Sequence, residues 1–329
     1  MSVHAPSTKV VGRVGDIVGP LIALAALVSL LALALALPAM KAAPHDLPVG
    51  IAGPAVAAGP VSQQLATGQP GAVSLTSFPD EAALRSAITH REVYGGLLLS
   101  PAGPKLLVAS AASPTVAIAL QSLGRGIAQA QGAQLTVEDV VPLPADDPHG
   151  AGLAAALLPM LIGAVATVAV SIRIVRGPVI RIVAALAANL AVGFGVVAVL
   201  HFGLGALTGS YPAESLTLSL TLAAISMVLL GLFGLIRWPG VGLGVLTMLL
   251  LGMPLSGVQG APELLPHRWA TLGQLLPPGA GGTALRSVAY FDGHGALAAL
   301  TVLGCWAVAG LVLAVGTVRL HRNRNPTID

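Results

Sequence analysis

The sequence predicts a polytopic α-helical membrane protein: six transmembrane helices, with a small α/β extracytoplasmic domain between helices 1 and 2. Composition is the first reason, because 55% of the 329 residues are hydrophobic and only 9% are charged, against about 25% charged residues in an ordinary soluble domain. The second is that six stretches approach or exceed the length of about 20 apolar residues that crosses a bilayer. The third is a long polar segment, rich in proline, that separates the first two stretches.

The predicted spans follow from apolar length alone. They are residues 17–37, 152–172, 182–204, 216–236, 241–258 and 296–318. The first is interpreted as an uncleaved anchor, because signal peptides have apolar regions of about 7–15 residues and no clean cleavage site follows Leu37. A secretory signal is the alternative, since Lys9 and Arg13 precede the run. Residues 1–16 are predicted to form a cytoplasmic segment, with either an interfacial helix over 9–18 or a disordered basic tail.

Basic residues near the span ends predict the orientation, because short positively charged loops stay in the cytoplasm. All of these residues fall on one side if both termini are cytoplasmic: Lys9, Arg13, Arg173, Arg176, Arg181, Arg237, Arg319, Arg322 and Arg324. We therefore expect a multi-pass protein of the cell membrane with a cytoplasmic tail over 319–329. The 13 arginines against 3 lysines indicate a GC-rich bacterial genome.

Residues 38–151 are predicted to form the extracytoplasmic α/β domain. Extended segments are expected at 47–51, 72–76, 94–99 and 106–108, and helices over 80–90 and after a Ser113-Pro114 start. No Gly-x-Ser-x-Gly motif is present and the histidines are scattered, so we expect neither an enzyme nor a metal site. Asp146, Asp147 and His149 lie among prolines and are interpreted as a solvated linker.

The membrane part, residues 152–318, lacks a Gly-x-x-x-x-Gly-Lys-Ser/Thr motif, so the chain is expected to bind no nucleotide of its own. A net charge of +3 is too small to indicate nucleic-acid binding. Asn189 is the strongly polar residue well inside a span, and an interhelical hydrogen bond is favoured over a substrate ligand. His201 is interpreted as an interface residue.

Residues 259–295 carry two apolar segments, 262–276 and 279–291, that are each too short to cross a bilayer. They meet at Pro277-Pro278-Gly279, which predicts two half-helices that form a re-entrant outer segment. A surface loop docked on the outer domain is the alternative.

The order of these parts resembles a known family, the permease subunit of type-2 ABC exporters, in the branch related to the phage infection protein (YhgE/Pip). The resemblance covers nearly the whole chain and rests on the architecture together with soft motifs. These are Asp80-Glu81-Ala82-Ala83-Leu84 to Gly95-Gly96-Leu97-Leu98-Leu99-Ser100-Pro101, and Leu275-Leu276-Pro277-Pro278-Gly279 with Arg286 and Tyr290-Phe291.

The resemblance implies a separate ABC ATPase subunit that supplies ATP, a second permease copy or a paralogue, and outward movement of an apolar or amphipathic compound. It also implies an ATPase-coupling loop at 171–181, with Arg173, Arg176 and Arg181, although these arginines also serve the topology. An outer gate would contain Pro277, Pro278, Gly279 and Arg286. Two alternatives remain: a non-transporting protein that displays its outer domain as a receptor or assembly platform, and a gradient-driven carrier, which the lack of mid-span carboxylates disfavours.

Overall fold

The computed structural model describes residues 14–40, 43–54, 59, 63, 70–100, 103–130 and 132–324. The helices are α1 (Val14–Met40), α2 (Glu81–Thr89), α3 (Pro114–Ala130), α4 (Ala151–Ile174), α5 (Pro178–Ala198), α6 (Tyr211–Ile236), α7 (Trp238–Thr247), α8 (His267–Leu275), α9 (Pro277–Tyr290) and α10 (Leu297–Arg324). The strands are β1 (Leu47–Ala52), β2 (Val73–Phe78), β3 (Gly95–Ser100), β4 (Gly103–Val108) and β5 (Thr136–Asp139). Two π-helical turns, Val199–Gly203 and Met248–Gly252, extend α5 and α7.

Four of the predicted spans are confirmed as helices that are long and apolar enough to cross a membrane, which fits a membrane-embedded protein. Their bounds are Ala151–Ile174, Pro178–Gly203, Tyr211–Ile236 and Leu297–Thr317. The bounds lie within five residues of the predicted ones, because apolar length is a local property that the sequence carries directly.

The other two predicted spans are not among the helices that are confirmed as long and apolar enough to cross a membrane. The fifth, 241–258, is helical only to Gly252, since the chain turns after the π-helical turn that follows α7. The helix Trp238–Gly252 is about 22 Å long at 1.5 Å per residue, shorter than a hydrocarbon core of about 30 Å. The first lies within α1, a helix of 27 residues that contacts Met248–Gly252. Residues 1–13 and 325–329, with the first half of the predicted interfacial helix and the end of the tail, lie outside the described residues.

The central helix of the bundle is α6, which contacts α4, α5, α7, α9 and α10. Glycines allow its closest approach to α10. A Cβ atom at Gly231 would lie 2.8 Å from the Leu313 side chain, and one at Gly310 would lie 2.5 Å from the backbone nitrogen of Val228. Since lipid removes the hydrophobic drive between helices, such close backbone contact is the main source of their association.

The α/β domain consists of a five-stranded sheet with α2 and α3, and its strand order is β2-β1-β3-β4-β5. β1 is parallel to β2 and β3, whereas β4 is antiparallel to β3 and parallel to β5. Successive side chains of a strand point to opposite faces. Accordingly, Leu106 packs with Leu120 of α3, and Leu107 packs with Ile88 of α2. The sequence predicted both helices and β1 to β4, but it missed β5.

The two predicted half-helices correspond to α8 and α9, which meet at Leu276. α9 is buried in contact with α4, α6 and α10, which favours the half-helix prediction. The residues around it also dock on the α/β domain, as the alternative held: Ala261 joins the apolar cluster under α3, and Phe291 joins the cluster under α2. Residues 259–295, called the inserted segment here, therefore pack into the bundle and also support the sheet.

Candidate functional site

Arginines from two short connections gather at one end of the bundle, called the arginine end here. They are Arg173, Arg176, Arg181 and Arg237. Residues 175–177 join α4 to α5, so the three arginines of the predicted coupling loop lie near one another. The Arg173 guanidinium lies 5.7 Å from the centroid of the Trp238 ring, and that of Arg237 lies 5.3 Å from the Phe233 ring. The contact of Arg173 with Trp238 brings the α4–α5 and α6–α7 connections together.

The arginines of the predicted coupling loop have different surroundings. Arg181 donates hydrogen bonds to the carbonyl oxygens of Ser171 and Val175, both at 3.3 Å, and so helps to cap the end of α4. Arg176 is exposed and, within the described part of the chain, its side chain makes no hydrogen bond or ion pair. Arg181 thus has a structural task, whereas Arg176 is available to water or to a partner.

Asn189 is buried between α5 and α6. Its Nδ2 atom donates to the Ser226 hydroxyl at 2.6 Å, so the interhelical bond that the sequence favoured is present. Its Oδ1 atom has no hydrogen-bond partner in the described structure. An unpaired amide oxygen in an apolar interior is costly, so Asn189 is one of the least satisfied buried groups of the bundle.

The predicted gate residues all lie on α9 but not in one place. Pro277 and Pro278 begin the helix, where the missing N–H of proline costs no hydrogen bond, and Gly279 follows. Arg286 is 5% exposed and donates to the carbonyl oxygen of Val258 at 2.6 Å. It lies about 13 Å further along the helix axis than Pro277, so a shared site does not form.

Two side chains of the turn after α2 join the α/β domain to the inserted segment, and this contact is called the seam here. Arg91 donates to the Ser287 hydroxyl at 2.5 Å and to the Thr283 carbonyl at 3.3 Å. The Tyr94 hydroxyl donates to the Glu263 carboxylate at 2.6 Å. The seam therefore fixes α9 and the turn before α8 against the sheet.

Burial shapes the electrostatics of the seam. It raises the pKa of Tyr94, and the nearby Glu263 carboxylate raises it further, because a phenolate would be buried beside another negative charge. Burial also lowers the pKa of Arg91, and the neighbouring Tyr94 and Glu263 oppose that shift. Tyr94 consequently remains a hydrogen-bond donor at neutral pH.

The sequence reasoning missed a buried carboxylate, Glu214, in the first turn of α6. It is fully buried, accepts a hydrogen bond from the Gly209 N–H at 2.8 Å and lies 2.8 Å from Nδ1 of His201. His201 is therefore the partner of a buried acid. The available signal was Pro212 with an acidic residue two positions later, which marks a helix start ahead of the predicted bound at 216.

The predicted solvated linker is wrong for Asp147. This residue is 8% exposed, and its carboxylate accepts hydrogen bonds from the N–H groups of Ala151 and Gly152, both at 2.8 Å. A carboxylate at this position satisfies free donors and favours the positive end of the helix dipole. Asp146 and His149 are exposed, as the linker interpretation expected.

No protein-family model, curated protein or solved structure matches the chain. Among the described residues, no group of three or more His, Cys, Asp or Glu side chains is placed to hold a metal ion.

Proposed function

We propose that the chain is the permease subunit of an ATP-driven exporter that moves an apolar or amphipathic compound outward with a separate ATPase subunit. A second permease copy or a paralogue would complete the pathway. The observation that carries the proposal is the arginine end, where Arg176 is exposed and unpaired among the described residues while Arg173 and Arg237 lie close by. An acidic groove on a soluble ATPase is the complementary surface for such a patch.

The helix α6 offers a route from that patch to the inserted segment. Its last turn carries Phe233, on which Arg181 and Arg237 stack at 5.8 and 5.3 Å. Its middle meets α9 closely, because a Cβ atom at Gly281 would lie 2.8 Å from the Thr221 hydroxyl oxygen. A shift at the arginine end would therefore reach α9 through one rigid helix.

The seam bears on the display-protein alternative. The bonds of Arg91 and Tyr94 tie the α/β domain to the inserted segment, which favours coupled movement over a domain that is merely displayed. One observation favours the gradient-driven alternative, because Glu214 and His201 form a buried ionisable pair.

Replacement of Arg176 by Gln tests the proposal. We expect weaker co-purification with the ATPase and lower stimulated ATP turnover, because truncating one member of a buried interfacial charge pair costs about 2–5 kcal/mol. Arg125→Gln, an exposed position of α3, is the matched control and should leave co-purification unchanged.

The membrane level and the orientation must stay normal in this test. A cysteine that replaces exposed Ser77 should react with an impermeant maleimide in intact cells, and one that replaces Asn325 should not. Recovery of no ATPase under mild detergent would overturn the exporter proposal, and the display protein would then be favoured.

A further inference from the structure

A cavity of about 570 Å³ lies where the α/β domain, α8 and the start of α10 meet. Its volume is within the range of about 300–1,000 Å³ that small-molecule sites occupy. Much of the wall is apolar, with Ala270 and Leu275 from α8 and Ala299 and Val302 from α10. A compact apolar body would fit this space.

Three polar side chains of the wall, those of Glu263, Gln274 and Thr283, are held in place by hydrogen bonds. Thr283 donates to Oε1 of Gln274 at 2.7 Å, and Nε2 of Gln274 donates to the Ser256 carbonyl oxygen at 2.9 Å. Glu263 is fixed by the Tyr94 hydroxyl at 2.6 Å. Groups fixed before binding lose little conformational entropy when a ligand arrives.

The titratable side chains of the wall are two carboxylates and two histidines, His45 and His267. Asp46 and Glu263 line the cavity, and neither lysine nor arginine is among its described lining residues. No ion pair of the described chain involves either carboxylate. Arg91 lines an adjoining cavity of about 140 Å³, which Glu263 also lines, and it lies close enough to interact electrostatically with Glu263. Its hydrogen bonds nevertheless go to Ser287 and Thr283 and not to the carboxylate.

We propose that this cavity binds an amphiphilic organic cation, with its apolar body against α8 and α10 and its positive charge near Asp46 and Glu263. A neutral apolar ligand would gain no charge interaction from exposed Asp46 and half-buried Glu263, and an anion would be repelled. As a statement about the transported substrate this rests on the proposed export function. Binding itself needs neither ATP nor an ATPase.

Protection of a cysteine from labelling tests the site on the full chain in lipid nanodiscs at pH 8. With the native thiol removed by Cys305→Ser, Thr271→Cys places a label site on the cavity wall, because Thr271 is exposed and lines the cavity. Tetraphenylphosphonium should slow its reaction with maleimide, whereas tetraphenylborate, of the same shape and opposite charge, should not at the same concentration. A cysteine at Thr208, on the α5–α6 connection, should remain unprotected.

Charge variants assign the effect to the carboxylates. Asp46→Asn with Glu263→Gln should raise the phosphonium concentration for half protection about tenfold. Asp46→Asn alone should raise it about three- to fivefold. This single variant keeps the test valid if the double variant does not fold, because Asn tolerates the positive φ of 49° at this position. Glu92→Gln removes a charge that lines only the smaller cavity, and it should change nothing.

The proposal is overturned by any of three results: no protection by tetraphenylphosphonium, equal protection by tetraphenylborate, or unchanged protection in the Asp46 and Glu263 variants. Because no ATPase is present, these results are independent of the Arg176 co-purification test. Failure of the binding site and failure of the export function are therefore distinguishable.

Discussion

The two ends of the helical bundle differ in the burial of their charged side chains. Near the α/β domain, Arg286 and Glu214 are buried, and each makes hydrogen bonds to specific backbone groups. At the arginine end, Arg173, Arg176 and Arg237 are exposed. A buried charge must be paired or it destabilises the fold, whereas an exposed one is solvated by water. Variants of the buried residues near the α/β domain should therefore impair folding, whereas variants of the exposed Arg173, Arg176 and Arg237 should impair only partner binding.

The largest effect is expected for Glu214→Ala. It would leave the Gly209 N–H and His201 without their buried partner, and breaking a buried pair in this way costs about 3–5 kcal/mol. Thermal unfolding in mild detergent should show a large loss of stability. Glu214→Gln, which keeps an oxygen acceptor for Gly209, should cost less. A Glu214→Ala variant as stable as the wild type would contradict the statement that the buried charged residues near the α/β domain support folding.

A smaller loss is expected for Arg91→Met. The variant removes a charged donor from Ser287 and Thr283. The short bond to the Ser287 hydroxyl contributes about 1.5–3 kcal/mol, as hydrogen bonds to charged groups do, and the 3.3 Å bond to the Thr283 carbonyl oxygen is weaker. Amide hydrogen exchange in α9 should become faster, because the seam no longer fixes this helix. Arg125→Met makes the same change at an exposed site of α3 and should leave exchange in α9 as it was. Unchanged exchange in both variants would show that the seam does not hold α9.

The smallest effect is expected on the surface of the sheet, where Arg85 and Lys105 each pair with Glu81 and Glu138. Hydrogen bonds from Arg85 and Lys105 lower the pKa of Glu138 from 4.5 to about 2, and those from Lys105 and Arg85 also lower the pKa of Glu81. Because the folded pKa values are the lower ones, the network stabilises the fold above about pH 4.5. This contribution is lost as the pH falls toward 2.

Glu138→Gln measures this contribution. Its melting temperature should lie slightly below that of the wild type at pH 7, and the difference should vanish near pH 2 and shrink in 1 M salt, which screens exposed charges. A large difference that persists at low pH would mean that Glu138 acts through packing and not through its charge.

Predictions from the sequence succeeded where the signal was local. The spacing of Leu84, Ala87 and Ile88 marks one face of a helix, and all three are buried in α2. The fifth span shows the limit of apolar length. Residues after Gly252 remain apolar but leave the helix to contact α9, where Arg286 binds the Val258 carbonyl oxygen. An apolar run in the sequence does not show whether its residues face lipid or pack against another helix.

The sequence by itself determined the membrane class, four of the helices that can cross a bilayer and most of the sheet, because apolar length and periodicity depend only on neighbouring residues. Only the tertiary structure decided the partners of the buried polar groups. Arg91 binds Ser287 across 196 positions of the chain, and Glu214 meets His201 across a turn. Such pairs depend on which helices pack together, and no local pattern encodes that choice.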